Sequence, residues 1–327
     1  MVRKIDWESQ LGRRLKLRDL HVFLAVVQRG SMSKAAEHLG VSQAAVSEIV
    51  ADLEHAVRVR LLDRRPHGIE PTAYGHALVK RILGAFDELK QGIRDIECLA
   101  DPTVGEVRMG CTESIASAIL SPIIERFSLQ YPRVMLEVKT VVSPTLELPD
   151  LRQRTLDLFL ARLNVPFKRE DSDLNVEFLE DDATLVAAGA QSRWARCREI
   201  DLAELVNEPW ILTPPGSWSY VNVAEAFHAR GLDMPRVCLK TFSIHLRTNL
   251  LASGHFISAF PRSFLRLHSG LFSLKPLPID LPARPWPLAI VTLKNRTLSP
   301  VVQCFIEHVR AFAHTMGTEA SHQKKSA

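Results

Sequence analysis

The side chains that could react or coordinate a ligand in this 327-residue chain are few and scattered. Cys111, in the segment CTES, is the best-placed candidate nucleophile, and the nearby Thr112 and Ser114 are, taken alone, more typical of a helix N-cap than of a ligand site. The patterns HExxH, GxSxG, GxxxxGK[ST] and GxGxxG are absent, and the histidines lack ligand spacing. We therefore expect no enzyme activity, no cofactor and no metal, and we interpret Cys111 as a small buried residue.

The five cysteines are odd in number and widely spaced, unlike a disulfide framework or a CxxC metal site. None is a convincing resolving partner for Cys111, so a redox sensor is not favoured. The first residues carry charge without an apolar signal core, and no run of 18 uncharged apolar residues follows. These features predict a cytoplasmic protein that does not enter the membrane.

Composition predicts at least two domains, because 327 residues at 46% hydrophobic exceed one typical core. The net charge of +4 is too small to identify a nucleic-acid binder by itself. Residues 1–72 hold 12 Lys and Arg against 9 Asp and Glu, so most of the excess lies in the first fifth of the chain. Charge thus permits a DNA-binding N-terminus without requiring it.

Three short helices are predicted in the segment that begins at Leu17 and includes Leu53. The first helix, LRDLHVFLAVVQRG, has one apolar face and ends at Gly30. The second helix, SKAAEHLG, is capped by Ser31 or Ser33 and ends at Gly40. Ser42 caps the third helix, whose buried stripe comprises Val46, Ile49, Val50 and Leu53. Two short helices joined by a glycine turn are typical of a helix-turn-helix.

Two short strands, VRVRLLDRR and GIEPT, are predicted after the third helix, with a basic loop between them. Together with the helices, they give a segment that resembles the DNA-binding domain of LysR-type transcriptional regulators. The resemblance runs from LRDLHVFLAVV through the paired alanines and VSQ to the wing that ends in Pro71, Thr72 and Gly75. It implies a winged helix-turn-helix that binds double-stranded DNA.

The resemblance also implies which side chains meet DNA. Gln43 is expected to pair with adenine and Ser47 to contact bases in the major groove. Phosphate contacts are expected from the wing. The complete predicted set is Ser33, Ser42, Gln43, Ala44, Ser47, Glu48, Arg64, Arg65 and His67.

Glu48 departs from the Arg or Lys that the family usually carries after the serine of the recognition helix. A carboxylate there would repel phosphate or accept a hydrogen bond from cytosine. Solvation of Glu48 on the helix surface is the alternative. The preferred operator sequence therefore stays open.

A long helix is predicted from Thr72 towards Pro102, with apolar residues at heptad-like steps. A lone helix must bury such a seam against its own domain or against a second copy, and we favour the second copy. The predicted dimerisation residues are Leu78, Ile82, Phe86, Leu89, Ile93 and Ile96. The resemblance to the family's linker helix extends the expectation to a homotetramer.

Beyond Pro102 and Gly105, strand-like and helix-like runs alternate, which predicts a mostly parallel sheet in two lobes with a cleft at the strand ends. The overall class is α/β: an all-α-dominated N-terminal winged helix-turn-helix, a long linker helix, and a two-lobed periplasmic-binding-protein-like (type 2) effector domain, the last fold being implied by the resemblance. The predicted ranges are 1–72, 73–100 and 104–315, with a disordered tail over 316–327.

The C-terminal region is similar to the family's effector domain in YPRVMLEV, LDLFLA, ASGHFISAFP and the last helix, although His255 after Gly254 departs from its commoner glycine pattern. The resemblance implies a small-molecule effector, with a carboxylate or several hydroxyls, bound by Thr112, Glu113, Ser114, Ser143, Pro214, Gly216 and Ser217. RNA polymerase is a further candidate partner. A solute-binding protein is the alternative, which the helix-turn-helix and the missing signal peptide disfavour.

Overall fold

The computed structural model describes residues 15–65, 68–101, 103–142, 148–163, 172–279, 281 and 286–325. The chain divides into two compact units, of which one ends at Lys90 and the other begins at Gln91. The division falls within a continuous helix, Ala73–Ala100. Each unit has its own apolar core.

Three helices form the start of the N-terminal unit: α1 (Leu17–Arg29), α2 (Met32–Leu39) and α3 (Gln43–Val57). They pack through fully buried apolar side chains, including Phe23, Val26 and Val46. Glycines at φ 65° and 66°, Gly30 and Gly40, end α1 and α2, because this left-handed conformation costs glycine little. The predicted helix-turn-helix is confirmed.

A two-stranded antiparallel wing follows, made of β1 (Leu62–Arg65) and β2 (Gly68–Pro71). The first strand begins later than the sequence predicts, because the chain turns at Arg58 with φ 57° after α3 ends. Glu54 of α3 fixes the start of the wing by accepting hydrogen bonds from the Leu61 and Leu62 amides at 2.6 and 3.1 Å. The wing is thus held against the recognition helix.

The long helix α4 (Ala73–Ala100) begins where predicted, and Thr72 Oγ1 accepts from the Gly75 amide at 3.1 Å. Its apolar seam behaves differently along its length. Leu78, Ile82 and Phe86 pack on the core of their own N-terminal unit, with Ile82 only 2% exposed. The distal residues Leu89, Ile93 and Ile96 are 50%, 59% and 69% exposed. Half of the seam therefore has an intramolecular partner, which the heptad spacing does not reveal.

The second unit contains two five-stranded sheets. Its strands are β3 (Val104–Cys111), β4 (Arg133–Thr140), β5 (Leu158–Arg162), β6 (Leu174–Asp181), β7 (Thr184–Gly189), β8 (Trp210–Leu212), β9 (Val237–Lys240), β10 (Ile257–Pro261), β11 (Leu274–Pro276) and β12 (Pro287–Leu293). Their orders are β4-β3-β5-β12-β6 and β11-β7-β10-β8-β9. The chain crosses between the two lobes after β6 and again before β12, as two-lobed α/β binding folds require.

The sheets are mixed and not mostly parallel, so that part of the prediction is wrong. In the first sheet β3 runs parallel to β4 and β5, whereas β12 is antiparallel to β5 and β6. In the second, β8 is parallel to β9 and β10, whereas β7 is antiparallel to β10 and β11. The antiparallel strands include those next to the two crossings between the lobes, β6, β7, β11 and β12. The direction of such a strand depends on partners that lie far away in the sequence.

Helices cover the sheets of this unit: α5 (Glu113–Ile115), α6 (Ser121–Gln130), α7 (Pro149–Arg152), α8 (Trp218–Ala229), α9 (Ile244–Ala252), α10 (Arg262–His268) and α11 (Pro300–Lys325). A π-helical segment, Ala116–Leu120, joins α5 to α6. Helix α11 continues through most of the range 316–327 that the sequence predicts to be disordered. Of the helices in the described ranges, none is long and apolar enough to cross a membrane.

Candidate functional site

The start of α3 presents a polar edge to solvent. Ser42 is the N-cap, and its Oγ accepts from the Ala45 amide at 3.1 Å, which uses one of the hydroxyl's lone pairs. Gln43, Ala44 and Glu48 are exposed, and Ser47 is half-buried. Five of the residues predicted to contact DNA thus lie together at one accessible end of the helix.

The other residues predicted to contact DNA are more dispersed. Ser33 is exposed on α2, where the N-cap position belongs to Ser31. Arg65 lies in β1 and forms an exposed ion pair with Glu70 across the wing at 3.1 Å. His67 and the side chain of Arg64 lie outside the described part of the chain. This pair uses Arg65 Nε, so the other N–H groups of the guanidinium can still donate to a DNA phosphate.

A cavity of about 80 Å³ lies between the lobes of the second unit. Strands β3 and β5 of one lobe and β8 of the other lead into its wall, as expected where ligands bind at the carboxyl ends of strands. Of the predicted effector residues, Thr112, Glu113, Ser114 and Ser217 line it. Ser143 lies outside the described residues.

Two hydroxyls from the chain after β3 form one side of the cavity. The Thr112 and Ser114 oxygens are 3.2 Å apart, and Ser114 Oγ accepts from Arg162 Nη1 at 3.1 Å. Arg162 ends β5, and its guanidinium lies 5.0 Å from the ring centroid of Trp218 in the other lobe. The wall therefore combines neutral hydroxyls with a cation held between the lobes.

Arg162 is almost completely buried, and its charge is neutralised by Asp182. The Asp182 carboxylate accepts hydrogen bonds from Arg162 Nε, at 3.2 Å, and from Arg162 Nη2. Asp182 also accepts from the Ser263 amide at 3.0 Å and the Ser263 hydroxyl at 2.6 Å. A buried carboxylate with this many donors is well satisfied. This buried network, consisting of Arg162, Asp182 and Ser263, is a fixed part of the cavity wall.

The opposite wall follows β8. The Thr213 hydroxyl is bonded to those of Ser217 and Ser219, the latter at 2.6 Å, and Ser217 Oγ donates to the Pro214 carbonyl at 2.6 Å. Pro214 shapes this wall without lining it, and Gly216, at φ 83°, is exposed in the turn. Within the segment PWILTPPGS, Thr213 and Ser217 line the cavity, and of the predicted effector residues in it only Ser217 does so.

A second cation, Arg247 of α9, lines the same cavity and is 4% exposed. Burial lowers the pKa of Arg247 to about 10, and the nearby charge of Glu113 opposes that shift. The Glu113 carboxylate accepts from the Ile244 amide at 3.2 Å and so joins the two lobes. The cavity wall therefore carries two guanidinium groups, of Arg162 and Arg247, and one carboxyl group, of Glu113.

Cys111 is fully buried, and burial raises its pKa to about 12. A thiol that stays protonated is a poor nucleophile, in agreement with its interpretation as a packing residue. Among the residues that the structure describes, no group of three His, Cys, Asp or Glu side chains is placed to hold a metal.

Both arginines were missed in the sequence. Arg162 had a usable signal, because it directly follows the buried apolar run LFLA at the carboxyl end of a strand. Arg247 had none, since it occupies a helix whose apolar pattern is weak and whose position opposite Glu113 depends on lobe packing. Trp218, Phe260 and Trp286 were likewise not predicted to line the cavity.

Comparison with known proteins gives two matching family models. Residues 17–76 match the bacterial regulatory helix-turn-helix of the lysR family, and residues 100–313 match the LysR substrate binding domain. The chain is 27% identical over 305 residues to the HTH-type transcriptional regulator GbpR of Azospirillum brasilense, covering 93% of this chain and 89% of that protein. It is 26% identical to the regulator TdcA of Escherichia coli K12, covering 92% and 95%.

Solved structures show the same fold. A full-length OxyR variant of Pseudomonas aeruginosa aligns with a TM-score of 0.67 at 20% identity over 92% of this chain and 97% of that one. Full-length CbnR in complex with its target DNA aligns with a TM-score of 0.62 at 21% identity over 91% and 100%. The named relatives are transcriptional regulators. The chain belongs to the LysR family of DNA-binding transcriptional regulators, with an N-terminal helix-turn-helix and a C-terminal effector domain.

Proposed function

We propose that Gln43 and Ser47 read base edges of an operator from the exposed start of α3. The wing orients the protein through phosphate contacts by Arg64, Arg65 and His67. The exposure of Gln43 and the Ser42 cap at the start of α3 support this assignment. Glu48 is exposed beside them and favours a cytosine or disfavours a nearby phosphate.

We further propose that a small-molecule effector occupies the cavity between the lobes. The observation that carries this proposal is the juxtaposition of the Thr112 and Ser114 hydroxyls with a buried guanidinium at the carboxyl ends of strands. Because this cavity and α3 lie in different units, the effector acts by favouring one arrangement of the assembled regulator.

The exposed distal half of the α4 seam, Leu89, Ile93 and Ile96, supports a dimer as the minimal DNA-binding unit. Two such dimers form the proposed tetramer. The regulator works in the cytoplasm, and RNA polymerase is its proposed partner at the promoter.

Genome-wide mapping of DNA bound by the full chain tests the DNA-binding proposal. Discrete sites that share a motif are expected, and Gln43→Ala should change the base preference at one position of that motif. Uniform occupancy without a motif would contradict specific operator reading.

Ser114→Ala tests the effector proposal in a reporter assay driven by a mapped operator. Loss of one hydrogen bond is expected to weaken effector binding by about 0.5–1.5 kcal/mol for a neutral ligand group, or about 1.5–3 kcal/mol for a charged one. The reporter should therefore need more effector for the same response, while the affinity for the operator without effector stays unchanged. Ser117→Ala is the matched control, because its hydroxyl donates to the Glu113 carbonyl and does not line the cavity. Equal responses in both variants would contradict the assignment.

A further inference from the structure

The guanidinium of Arg247 forms hydrogen bonds along one edge only, through Nε and Nη2. Its Nε and Nη2 donate to Ser258 Oγ at 3.1 and 3.0 Å, Nη2 also donates to the Ala259 carbonyl, and its carbon Cζ lies 4.2 Å from the Phe260 ring centroid. These contacts fix the plane of the group against β10. A guanidinium has five N–H donors, so this arrangement leaves part of its hydrogen-bonding capacity unused.

The unused part is Nη1. Within the described ranges, no hydrogen bond is formed by this nitrogen and no carboxylate lies within 4.0 Å of the Arg247 guanidinium. Arg247 nevertheless lines the cavity at only 4% exposure. A buried cation without a close counter-ion is costly, and an anionic ligand would remove that cost.

The other cation of the cavity is in the opposite situation. Arg162 has a direct carboxylate partner in Asp182, and its Nη1 already donates to Ser114. The two arginines therefore have different roles: Arg162 holds the wall together, whereas Arg247 has a guanidinium edge available for a ligand. An anion that enters the cavity is expected to bind on the Arg247 side.

Glu113 restricts which anions can bind there. Its carboxylate lines the cavity and accepts from the Ile244 amide, and acceptor capacity remains on its oxygens. A ligand that carries only a carboxylate would face this negative charge without a compensating bond. A ligand that also has a hydroxyl could donate to Glu113 while its carboxylate accepts from Arg247.

The cavity limits the size of the ligand. Its volume of about 80 Å³ would hold about five to eight water-sized groups at roughly 10–15 Å³ each. Its apolar lining includes Trp218, Phe260 and Trp286, which can cover a short carbon chain. The positive charge of Arg247, the acceptor oxygens of Glu113 and the small volume of the cavity together define one ligand class.

We propose that the effector is a short hydroxycarboxylate whose carboxylate binds Arg247 and whose hydroxyl donates to Glu113. The proposal rests on the proposed effector function of this cavity. The carboxylate of the ligand thus binds to α9, in the second lobe. Glu113, which would repel a ligand that has only a carboxylate, selects for a ligand that also has a hydroxyl.

Three compounds with the same three-carbon skeleton test the ligand class by calorimetry on the full chain at constant ionic strength. Racemic lactate carries both groups, propionate lacks the hydroxyl, and 1,2-propanediol lacks the carboxylate. Lactate is expected to bind, propionate on the order of tenfold more weakly, and propanediol not measurably. Equal or tighter binding of propanediol, or no binding of lactate, contradicts the proposal.

Variants test the two residues. Arg247→Met should weaken lactate binding on the order of 10- to 100-fold, and Arg247→Lys should keep the preference for anions with a smaller loss. Glu113→Gln should bring the affinities for propionate and lactate closer together, because it removes the repulsion. Circular dichroism verifies folding, and Arg247→Lys carries the test if Arg247→Met does not fold. Unchanged lactate affinity in folded Arg247 variants overturns the assignment.

The outcomes separate this proposal from the proposed effector site itself. If propanediol binds and Ser114→Ala weakens that binding, the cavity is the effector site and the hydroxycarboxylate class is wrong. If lactate binds but neither Ser114→Ala nor Arg247→Met affects it, lactate binds outside the cavity and the hydroxycarboxylate proposal is wrong, whereas the effector function of the cavity is decided by the Ser114→Ala response at a mapped operator.

Discussion

At the scale of single residues, the effector domain depends on how Asp182 neutralises Arg162. Both side chains are buried, and Asp182 receives further hydrogen bonds from Ser263. Breaking such a pair leaves a buried charge without a partner, which costs far more than the pair contributes when intact. The cavity wall should therefore tolerate little change at Asp182.

Asp182→Asn is expected to lower the free energy of unfolding of the second unit by about 3–5 kcal/mol, because Arg162 would keep its charge without a carboxylate. Urea denaturation followed by tryptophan fluorescence measures this loss. Asp181→Asn, one residue earlier and exposed, is the matched control and should change stability by less than about 0.5 kcal/mol. Similar losses in both variants would show that the buried pair has no special role.

Gln43 and Arg65 should separate specific from general DNA affinity. Gln43→Ala is expected to lose about 1–3 kcal/mol of discrimination at one base pair, whereas Arg65→Ala weakens all DNA alike and flattens the salt dependence by about one unit. Fluorescence anisotropy with operator and random duplexes at several salt concentrations checks both effects. A uniform loss for Gln43→Ala would assign Gln43 to the DNA backbone.

Site residues that lie next to a strand end in the sequence could be predicted, whereas those that reach the site from a distant helix could not. Thr112 and Ser114 could be predicted because the family resemblance places effector contacts after this strand, and both directly follow β3 in the chain. Arg247 reaches the cavity only because α9 packs against β10 and opposite Glu113. Such proximity is a product of tertiary packing, which local patterns do not encode.

At the scale of elements, α4 has two environments that one heptad pattern conceals. Ile82 lies in the core of the N-terminal unit, whereas Ile93 is exposed on the distal half of the same helix. The pattern identified the apolar positions correctly but could not assign a partner to each of them. The sheets show the same limit, since the direction of β12 depends on strands much earlier in the chain.

Substitutions in the two halves of α4 should consequently give different phenotypes. Ile82→Ala is expected to destabilise the N-terminal unit by about 2–5 kcal/mol through the cavity it leaves. Ile93→Asp should preserve the helical circular dichroism signal but shift the protein to monomers in analytical ultracentrifugation and abolish tight operator binding. An Ile93→Asp protein that stays dimeric would place the dimer interface elsewhere.

In the whole molecule, the proposed DNA-binding surface and the proposed effector cavity belong to separate compact units. An effector can change operator binding only if it has different affinities for the free and the DNA-bound arrangements of the regulator. Thermodynamic linkage then requires the effect to be reciprocal. The oligomer that α4 is proposed to form is the assembly in which this coupling should operate.

A complete linkage cycle on the full chain tests whether effector binding and operator binding are coupled. Operator affinity is measured by anisotropy with and without effector, and effector affinity by calorimetry with and without operator. Both pairs should differ by the same factor, in the range of about 5- to 150-fold that is typical of allosteric coupling, and Ser114→Ala should reduce that factor. Operator affinity that does not respond to a bound effector would contradict the account.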